Sequence, residues 1–286
     1  MISSNSKVSG TKIFRYVVCI LLCILAIFPF YVLIINSTLP SNTIKQGIHM
    51  IPGTNFIANY KSLMLKSSVT SSVSLWKALF NSLLITVPTT VLQVYFATLT
   101  AYGLTVYHFK GRDQAWAFIY AIMMIPTQVT ALGFINLVTD MKLMDTFIPL
   151  IVPAIAAPST FFYMKQYMES TLPLAIIEAA RIDGSGEFRT FNTIVLPMMK
   201  PAIAVQAIFT FVQNWNNYFT PALVLKTDTK KTLPILIAQL RSADWLKFDM
   251  GQVYVMIAFS IFPVIVVYLL LSKFIVSGVA LGSVKG

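Results

Sequence analysis

Charge is scarce in this chain of 286 residues, in which Asp, Glu, Lys and Arg together make up 11%. Soluble domains carry about 25% charged residues, so the composition excludes a water-soluble globule. Hydrophobic residues account for 57% of the chain, and the mean hydropathy is +0.75. Disorder is excluded as well, because disordered segments are poor in apolar residues. The composition therefore predicts a polytopic membrane protein.

Cysteine and histidine are also rare, with two of each. Cys19 and Cys23 lie four residues apart in an apolar run, and two cysteines cannot form a disulfide framework. His49 and His108 lie in or beside predicted loops rather than inside the membrane. There is no H-E-x-x-H sequence and no pair of carboxylates in an apolar stretch. We therefore predict neither a catalytic site nor a metal site in this chain.

Basic residues outnumber acidic ones by 21 to 10, which gives a net charge of +11. Binding to nucleic acid requires Lys and Arg to cluster on one face or arm of a protein. Here the basic residues are scattered between apolar runs. Nucleic acid is therefore not a predicted partner.

Six long stretches contain no charged residue at all, and these predict the membrane spans. A helix needs about 20 apolar residues to cross the hydrocarbon core. The first stretch holds an apolar run from Tyr16 to Ile35, which is too long for a secretory signal and predicts a retained helix. We predict an all-α protein with six transmembrane helices, within 16–44, 78–109, 114–139, 146–164, 201–225 and 250–272.

The loops between the spans predict the orientation. The first 15 residues hold three basic residues and no acidic one, whereas 140–145 holds one basic and two acidic residues. The positive-inside rule then places the N-terminus in the cytoplasm, and six spans return the C-terminus there. We predict a cytoplasmic N-terminus at 1–15 and a single transmembrane domain at 16–286. That domain has an external loop at 38–76 and a cytoplasmic loop at 165–200.

The lack of charge inside the spans limits the possible driving force for transport. A proton-coupled carrier usually needs a carboxylate within the membrane, and no predicted span contains one. Sodium coupling through backbone carbonyls remains open. The chain also lacks the G-x-x-x-x-G-K-[ST] sequence that binds the phosphates of ATP. The sequence therefore contains no recognisable energy source of its own.

Charge is concentrated instead in loop 165–200, which holds eight charged residues, four of each sign. Pro173 suits a first helical position, and Gly184 suits the left-handed residue that ends a helix. Ser185 can cap a second short helix. Such a pair of helices suits docking into a groove of another protein, or lying on the bilayer surface. The apolar stripe predicted for the second helix is Phe188, Phe191, Ile194 and Val195.

This loop carries a motif that resembles a known signature. Glu178-Ala179-Ala180 is followed after three residues by Gly184, and after nine more by Ile194-x-Leu196-Pro197. The pattern resembles the EAA motif of permease subunits in binding-protein-dependent ABC importers. Short sequences elsewhere are similar to the carbohydrate branch of that family, which includes the smaller maltose-permease subunit: Asn81-Ser82, Ala101-Tyr102, Phe109-Lys110-Gly111-Arg112, Ile125-Pro126, Trp215-Asn216 and the tail Gly278 to Gly286.

The resemblance implies the type I (MetI-like) permease core in a bacterial-type inner membrane. It implies a non-catalytic, pore-forming subunit that moves a sugar or oligosaccharide by alternating access. The implied partners are a second permease subunit, forming a homologous heterodimer, two ATP-binding cassette subunits and an extracellular solute-binding protein. ATP and Mg²⁺ would be bound by the ATPase subunits, so no cofactor is expected in this chain.

Two sets of site residues follow from these interpretations. The coupling set would contact the ATPase, and it comprises Glu178, Ala179, Ala180, Arg181, Asp183, Gly184 and Pro197. A substrate-path set is suggested by amide and aromatic side chains in the spans, because sugars are bound by hydrogen bonds and ring stacking. It comprises Gln93, Gln128, Asn214, Trp215, Asn217 and Tyr218. The same residue types also form interhelical hydrogen bonds and interfacial anchors, so a structural role stays open.

Two other functions remain open at this stage. One is a permease of the same fold for a polyamine or a phosphorus compound. The other is a secondary carrier, which would work without an ATPase partner.

Overall fold

The computed structural model describes residues 10–65, 74–242 and 249–282. Every regular element in this part of the chain is helical, with no strand, as the predicted all-α class requires. In chain order the α-helices are α1 Gly10–Ser37, α2 Ser41–Ile44, α3 Phe56–Leu65, α4 Leu75–Val106, α5 Arg112–Met123, α6 Thr127–Asp140, α7 Ile148–Ile151, α8 Pro158–Thr171, α9 Leu174–Ile182, α10 Glu187–Thr190, α11 Leu196–Met198, α12 Lys200–Trp215, α13 Phe219–Val224, α14 Leu233–Ser242 and α15 Met250–Gly282.

Four segments are long and apolar enough to cross a membrane. In two further places, a pair of consecutive helices is long and apolar enough when the two helices of the pair are counted together. The pairs are bent by 100° and 81°, and the count over the described residues reaches six if each pair is one span. The number agrees with the six predicted spans, but the second pair begins at Glu187 inside the predicted loop 165–200, so only its arm Lys200–Val224 overlaps the fifth span predicted at 201–225. The four segments are Thr11–Ser37, Leu75–Val106, Ile148–Thr171 and Met250–Ile275, and the pairs are Arg112–Met123 with Gln128–Asp140 and Glu187–Met198 with Lys200–Val224.

The fourth span differs from its prediction, because its helical segment runs on to Thr171 instead of ending before Lys165. Lys165 is buried, and its ammonium pairs with Glu169 one turn later on the same helix. The ammonium also lies 4.5 Å from the ring centre of Trp116. A buried charge is tolerated when it is paired in this way. The prediction stops the span at the first charged residue and therefore places the end of this helix too early.

The third span is broken where the sequence places Ile125-Pro126. Helix α5 ends at Met123 and α6 begins at Thr127, with Pro126 at the start of the second arm. Proline lacks an amide hydrogen and crowds the preceding residue, so helices commonly stop just before it. The single helix predicted over 114–139 is therefore two helices.

The described residues divide into two compact units. The first comprises residues 10–65, 240–242 and 249–259. Here the Asn59 amide donates to the backbone oxygens of Ser37 and Leu39, both at 2.9 Å, which ties α3 to the end of α1. Gly251 lies against Asn59, since a Cβ at this position would come within 2.6 Å of its side chain.

The second unit comprises residues 74–239 and 260–282, and α4 runs through its centre. This helix has 32 residues, which corresponds to a length of about 48 Å. It packs against α8 and α12. The largest fully buried side chains around its second half include Met164, Met168 and Phe191. The lining residues described below all belong to this unit.

Parts of three predictions lie outside the described residues. They are most of the N-terminus predicted at 1–15, residues 66–73 of the predicted external loop, and residues 283–286 of the tail. The predicted boundary between a cytoplasmic N-terminus and a single transmembrane domain stays a prediction.

Candidate functional site

The turn at Gly184 has the conformation that the sequence predicts. Gly184 lies in the left-handed region at φ +77°. Its amide donates to the carbonyl of Arg181 at 3.0 Å, and the next amide, of Ser185, donates to the carbonyl of Ala180 at 2.9 Å. This pair of bonds is the Schellman motif, which satisfies the last carbonyls of a helix. The backbone geometry therefore favours glycine here, and α9 ends where the motif in the sequence places its end.

Two local predictions for this loop are wrong by one residue. Pro173 flanks α9, which begins at Leu174, instead of occupying its first turn. Ser185 does not cap the second helix, which begins at Glu187 after Gly186 and has no side-chain cap. Gly186 occupies the N-cap position instead, and the Ser185 hydroxyl oxygen accepts a hydrogen bond from Thr190 Oγ1 at 2.9 Å.

The predicted apolar stripe of the second helix is correct only in part. Phe191 and Val195 are fully buried, but Phe188 is 69% exposed and Ile194 is only half-buried. A π-helical turn spans Phe191–Val195, and the fully buried positions Phe191, Val195 and Met199 lie four residues apart. Phe188 precedes this turn and lies outside the buried face.

Glu187 joins the loop to α4, a role that the sequence did not reveal. Its Oε1 accepts a hydrogen bond from Arg181 Nε at 2.7 Å, and its Oε2 accepts one from the hydroxyl of Tyr102 at 2.7 Å. The Arg181 guanidinium also lies 5.4 Å from the ring centre of Tyr107. Arg181 first, then the Tyr107 and Tyr102 hydroxyls, lower the pKa of Glu187 to about 2. Glu187 and Tyr102 are 85 residues apart, so no local pattern signals this contact.

The exposed part of the loop is a compact mixed surface, which we call the loop face. Glu178, Ala179, Asp183 and Gly184 of the predicted coupling set are exposed there. Ile182 is 87% exposed between them, and Phe188 extends the apolar part. Of the remaining predicted coupling residues, Ala180 is buried, Arg181 is engaged with Glu187, and Pro197 is exposed on α11 outside this turn.

Three of the predicted substrate-path residues line one cavity of about 390 Å³ in the second unit. The Asn214 amide donates to Gln93 Oε1 at 3.1 Å, and the Gln93 amide donates to Thr160 Oγ1 at 3.1 Å. These bonds link α12, α4 and α8. The polar lining residues are all uncharged, and they are Thr89, Gln93, Thr130, Ser159, Asn214, Asn217 and Thr220.

The other three residues of that set lie elsewhere. Trp215 is 2% exposed, its ring stacks on Phe211 with centroids 5.8 Å apart, and its Nε1 donates to the carbonyl of Ser260 at 2.9 Å. Tyr218 is 48% exposed and Gln128 is on α6, and neither is among the lining residues of this cavity. The side-chain amides of Gln93, Asn214 and Asn217 thus line the cavity, whereas Trp215 packs between helices.

Comparison with known proteins decides the family. A family model described as the binding-protein-dependent transport system inner membrane component matches residues 93–280. The match includes the amides at Gln93 and Asn214 and all of loop 165–200. The chain belongs to this family. It is therefore a multi-pass permease component of an inner-membrane importer, and the resemblance noted in the sequence is confirmed.

Individual relatives cover nearly the whole permease. The arabinooligosaccharides transport system permease protein AraQ of Bacillus subtilis is 33% identical over 292 aligned residues, covering 100% of both chains. The sn-glycerol-3-phosphate transport system permease protein UgpE of Salmonella typhimurium is 26% identical over 270 residues, covering 94% of this chain and 96% of its own. A crystal structure of a bacterial ABC transporter involved in the import of the acidic polysaccharide alginate matches with a TM-score of 0.75 at 22% identity, covering 96% and 98%. This last likeness supports the permease fold.

A second set of polar contacts holds the segment that follows α13 in the permease, residues 226–232, which we call the strap. Asp145 Oδ1 accepts from the backbone amides of Lys226 and Thr227, each at 2.9 Å. Its Oδ2 accepts from Thr227 Oγ1 at 2.6 Å and from Lys230 Nζ at 2.9 Å. On the other side, the Asn81 amide donates to the carbonyls of Thr229 and Lys231 at 2.9 and 3.0 Å. The strap is therefore held by the turn between α6 and α7 on one side and by α4 on the other.

Removing the Asp145 carboxylate is expected to free the strap. The Thr227 bonds and the other donors lower the pKa of Asp145, so the carboxylate should stay ionised and the strap held as the pH falls to 4. In Asp145→Ala, hydrogen exchange at the Lys226 and Thr227 amides is expected to be at least ~10-fold faster, because each loses a bond to a charged acceptor. Asp140→Ala, at the end of α6, is the control and should leave both rates unchanged. Equal rates in the Asp145 variant and the wild type would show that the carboxylate does not hold the strap.

Proposed function

We propose that this permease forms part of the pore of an ATP-driven importer for a neutral oligosaccharide. The observation that carries the proposal is the uncharged lining of the 390 Å³ cavity. Sites for phosphorylated or acidic ligands in proteins are built with Arg or Lys, and a polyamine would need carboxylates. Every polar side chain lining this cavity is instead an amide or a hydroxyl, and these groups match the hydroxyls of a sugar.

The names of the relatives leave the substrate class open, and the cavity supports one choice. AraQ is named for arabinooligosaccharides, whereas UgpE is named for sn-glycerol-3-phosphate. The lining also includes the aromatic rings of Phe134 and Phe219, which offer apolar faces beside the amides. A concave site with an apolar lining and a few polar groups is typical for a small ligand. The combination favours a neutral sugar over a phosphate ester.

The proposed assembly supplies what this permease lacks. A second, homologous permease subunit completes the pore, and an extracellular solute-binding protein delivers the sugar. Two ATP-binding cassette subunits bind ATP and Mg²⁺ on the cytoplasmic side, where both termini of this chain also lie. The loop face is the proposed docking surface for an ATPase subunit, with Ile182 and Phe188 as apolar contacts and Glu178 and Asp183 as polar ones.

The proposal is tested with the complete transporter in proteoliposomes. We expect ATP-dependent accumulation of radiolabelled arabinose oligomers in the presence of the solute-binding protein. No accumulation of labelled glycerol-3-phosphate is expected under the same conditions. Uptake of glycerol-3-phosphate in place of the oligomers would overturn the neutral-sugar assignment, and uptake of oligomers without the ATPase subunits would indicate a secondary carrier.

Substitution of the cavity amides should slow this uptake. In Asn214→Ala and Asn217→Ala, the maximal uptake rate is expected to fall about 3- to 10-fold, which corresponds to the loss of one hydrogen bond to a neutral group. The loss should vary with the length of the arabinose oligomer, because these amides would contact the substrate itself. Asn216→Ala is the matched control, since Asn216 directly follows α12, its amide bonds the carbonyl of Val212 in that helix, and it lies outside the cavity lining. Wild-type rates in both cavity variants would assign these amides to structure alone.

A further inference from the structure

The Glu187 carboxylate divides its two oxygens between two parts of the permease. One oxygen bonds Arg181, which belongs to the first loop helix, and the other bonds Tyr102, which belongs to the long helix α4. Glu187 itself begins the second loop helix. Three helices therefore meet at one side chain, through two bonds of 2.7 Å each.

Apart from the Arg181 guanidinium beside the Tyr107 ring at the end of α4, the other contacts seen between the described loop residues and α4 are ring contacts and a neutral hydrogen bond. The ring of Phe191 lies 5.5 Å from that of Tyr102 and 5.6 Å from that of Tyr95. The Tyr95 hydroxyl donates to Asn192 Oδ1 at 3.2 Å. Charge-assisted hydrogen bonds are short and about twice as strong as neutral ones. The Glu187 bonds are therefore the contacts best suited to transmit a movement of the loop.

Helix α4 then carries such a movement to the other sites described above. It is unbroken from Leu75 to Val106. Gln93, which lines the cavity, precedes Tyr102 by nine residues, a rise of about 14 Å along the helix. Asn81, which holds the strap, lies a further twelve residues, or about 18 Å, along the same helix. One continuous helix thus contacts the loop, the cavity and the strap, with Pro88 inside it between Asn81 and Gln93.

We propose that Glu187 is a positioning residue that locks both loop helices to α4, so that displacement of the loop displaces the helix lining the cavity. The inference rests on the proposed function, because it assumes that an ATPase subunit moves the loop. Glu187 touches neither the substrate nor ATP in this scheme. The ionised state of Glu187, favoured by Arg181 and the two tyrosine hydroxyls, supports the same assignment.

The test removes one hydroxyl group at a time from α4. Tyr102→Phe deletes the bond to Glu187 and keeps the ring that packs on Phe191. Tyr95→Phe is the matched control, because it also deletes one tyrosine hydroxyl on α4 beside Phe191 and leaves Glu187 untouched. The measurement is the number of substrate molecules transported per ATP hydrolysed by the complete transporter in proteoliposomes, at matched amounts of assembled complex.

We expect Tyr102→Phe to hydrolyse ATP within about twofold of the wild-type rate while transporting at least fivefold less substrate per ATP. Glu187→Ala should give the same defect, and the double variant should be no worse than Glu187→Ala alone, since both changes break one link. The defect should be equal for arabinose oligomers of every length, unlike that of the cavity variants. Tyr95→Phe should keep the wild-type ratio.

The inference is overturned if Tyr102→Phe keeps the wild-type ratio or falls no further than Tyr95→Phe. It is also overturned if transport and ATP hydrolysis fall together, which would indicate a loss of stability or assembly instead of coupling. Failure of the proposed function is separate, because it is measured on the wild type: a wild-type transporter that moves no solute with ATP refutes both proposals. A wild type that transports, with a Tyr102→Phe variant that does so equally well, refutes this inference alone.

Discussion

Replacing Gly184 by valine is expected to reduce ATP-driven uptake to less than a tenth of the wild-type rate while the protein still inserts in the membrane. Gly184 has φ +77°, and a Cβ built there meets no atom within 4 Å. The free-energy cost of a side chain at position 184 therefore comes from the backbone conformation and not from contact with a neighbouring atom. The left-handed region costs an ordinary residue about 1–2 kcal/mol, and a β-branched residue suits it least. The chain is expected to leave this conformation, which redirects Ser185 and displaces Glu187 from Tyr102.

Two further variants separate backbone strain from the mere presence of a side chain. Gly186→Ala is the matched control, because Gly186 has an ordinary φ of −67° and a Cβ added to it would likewise meet no atom within 4 Å. It should transport like the wild type. Gly184→Asn should keep most of the activity, since asparagine adopts the left-handed region with little strain. Normal uptake by Gly184→Val would show that the turn has no part in coupling.

The second large effect is expected at Trp215, where alanine should destabilise the permease by about 3–5 kcal/mol, the range for truncating a large buried aromatic residue. The ring is 2% exposed and stacked on Phe211, and its N–H bonds the carbonyl of Ser260. Removing it leaves a void between helices and breaks one long-range hydrogen bond. The melting midpoint in detergent should fall by at least about 5 °C.

The neighbouring aromatic residue provides the control for Trp215. Tyr218→Ala removes a ring that is half exposed, so its melting midpoint should stay within about 1 °C of the wild type, since surface substitutions usually cost little. Trp215→Phe should lie between the two, because it keeps one stacked ring and loses the N–H bond and part of the buried ring volume. If Trp215→Ala melted like the wild type and yet lost uptake of one oligomer length only, the tryptophan would belong to the substrate path after all.

Part of the candidate site could be predicted because it depends on neighbours in the chain. The turn at Gly184 follows from the local rule for ending a helix, and the structure has that φ and those hydrogen bonds. Gln93, Asn214 and Asn217 were chosen as amides in charge-free stretches, and they line one cavity. The aromatic residues Trp215 and Tyr218 of the same stretch lie outside its lining, as does the amide Gln128 on α6. The difference is the rotation of α12 and the break after it, which residue type does not specify.

The sequence by itself determined the class of the protein, the number of its spans and the position of its charged loop. It could do so because the bilayer penalises every buried charge, so the exclusion of charge from six stretches can be read along the chain alone. Only the tertiary structure decided which side chains meet. Lys165 stays in a helix because Glu169 and Trp116 accept its charge, and Glu187 locks the loop because Tyr102, 85 residues away, faces it. Such contacts depend on the packing of several helices at once, and a one-dimensional pattern contains no record of that packing.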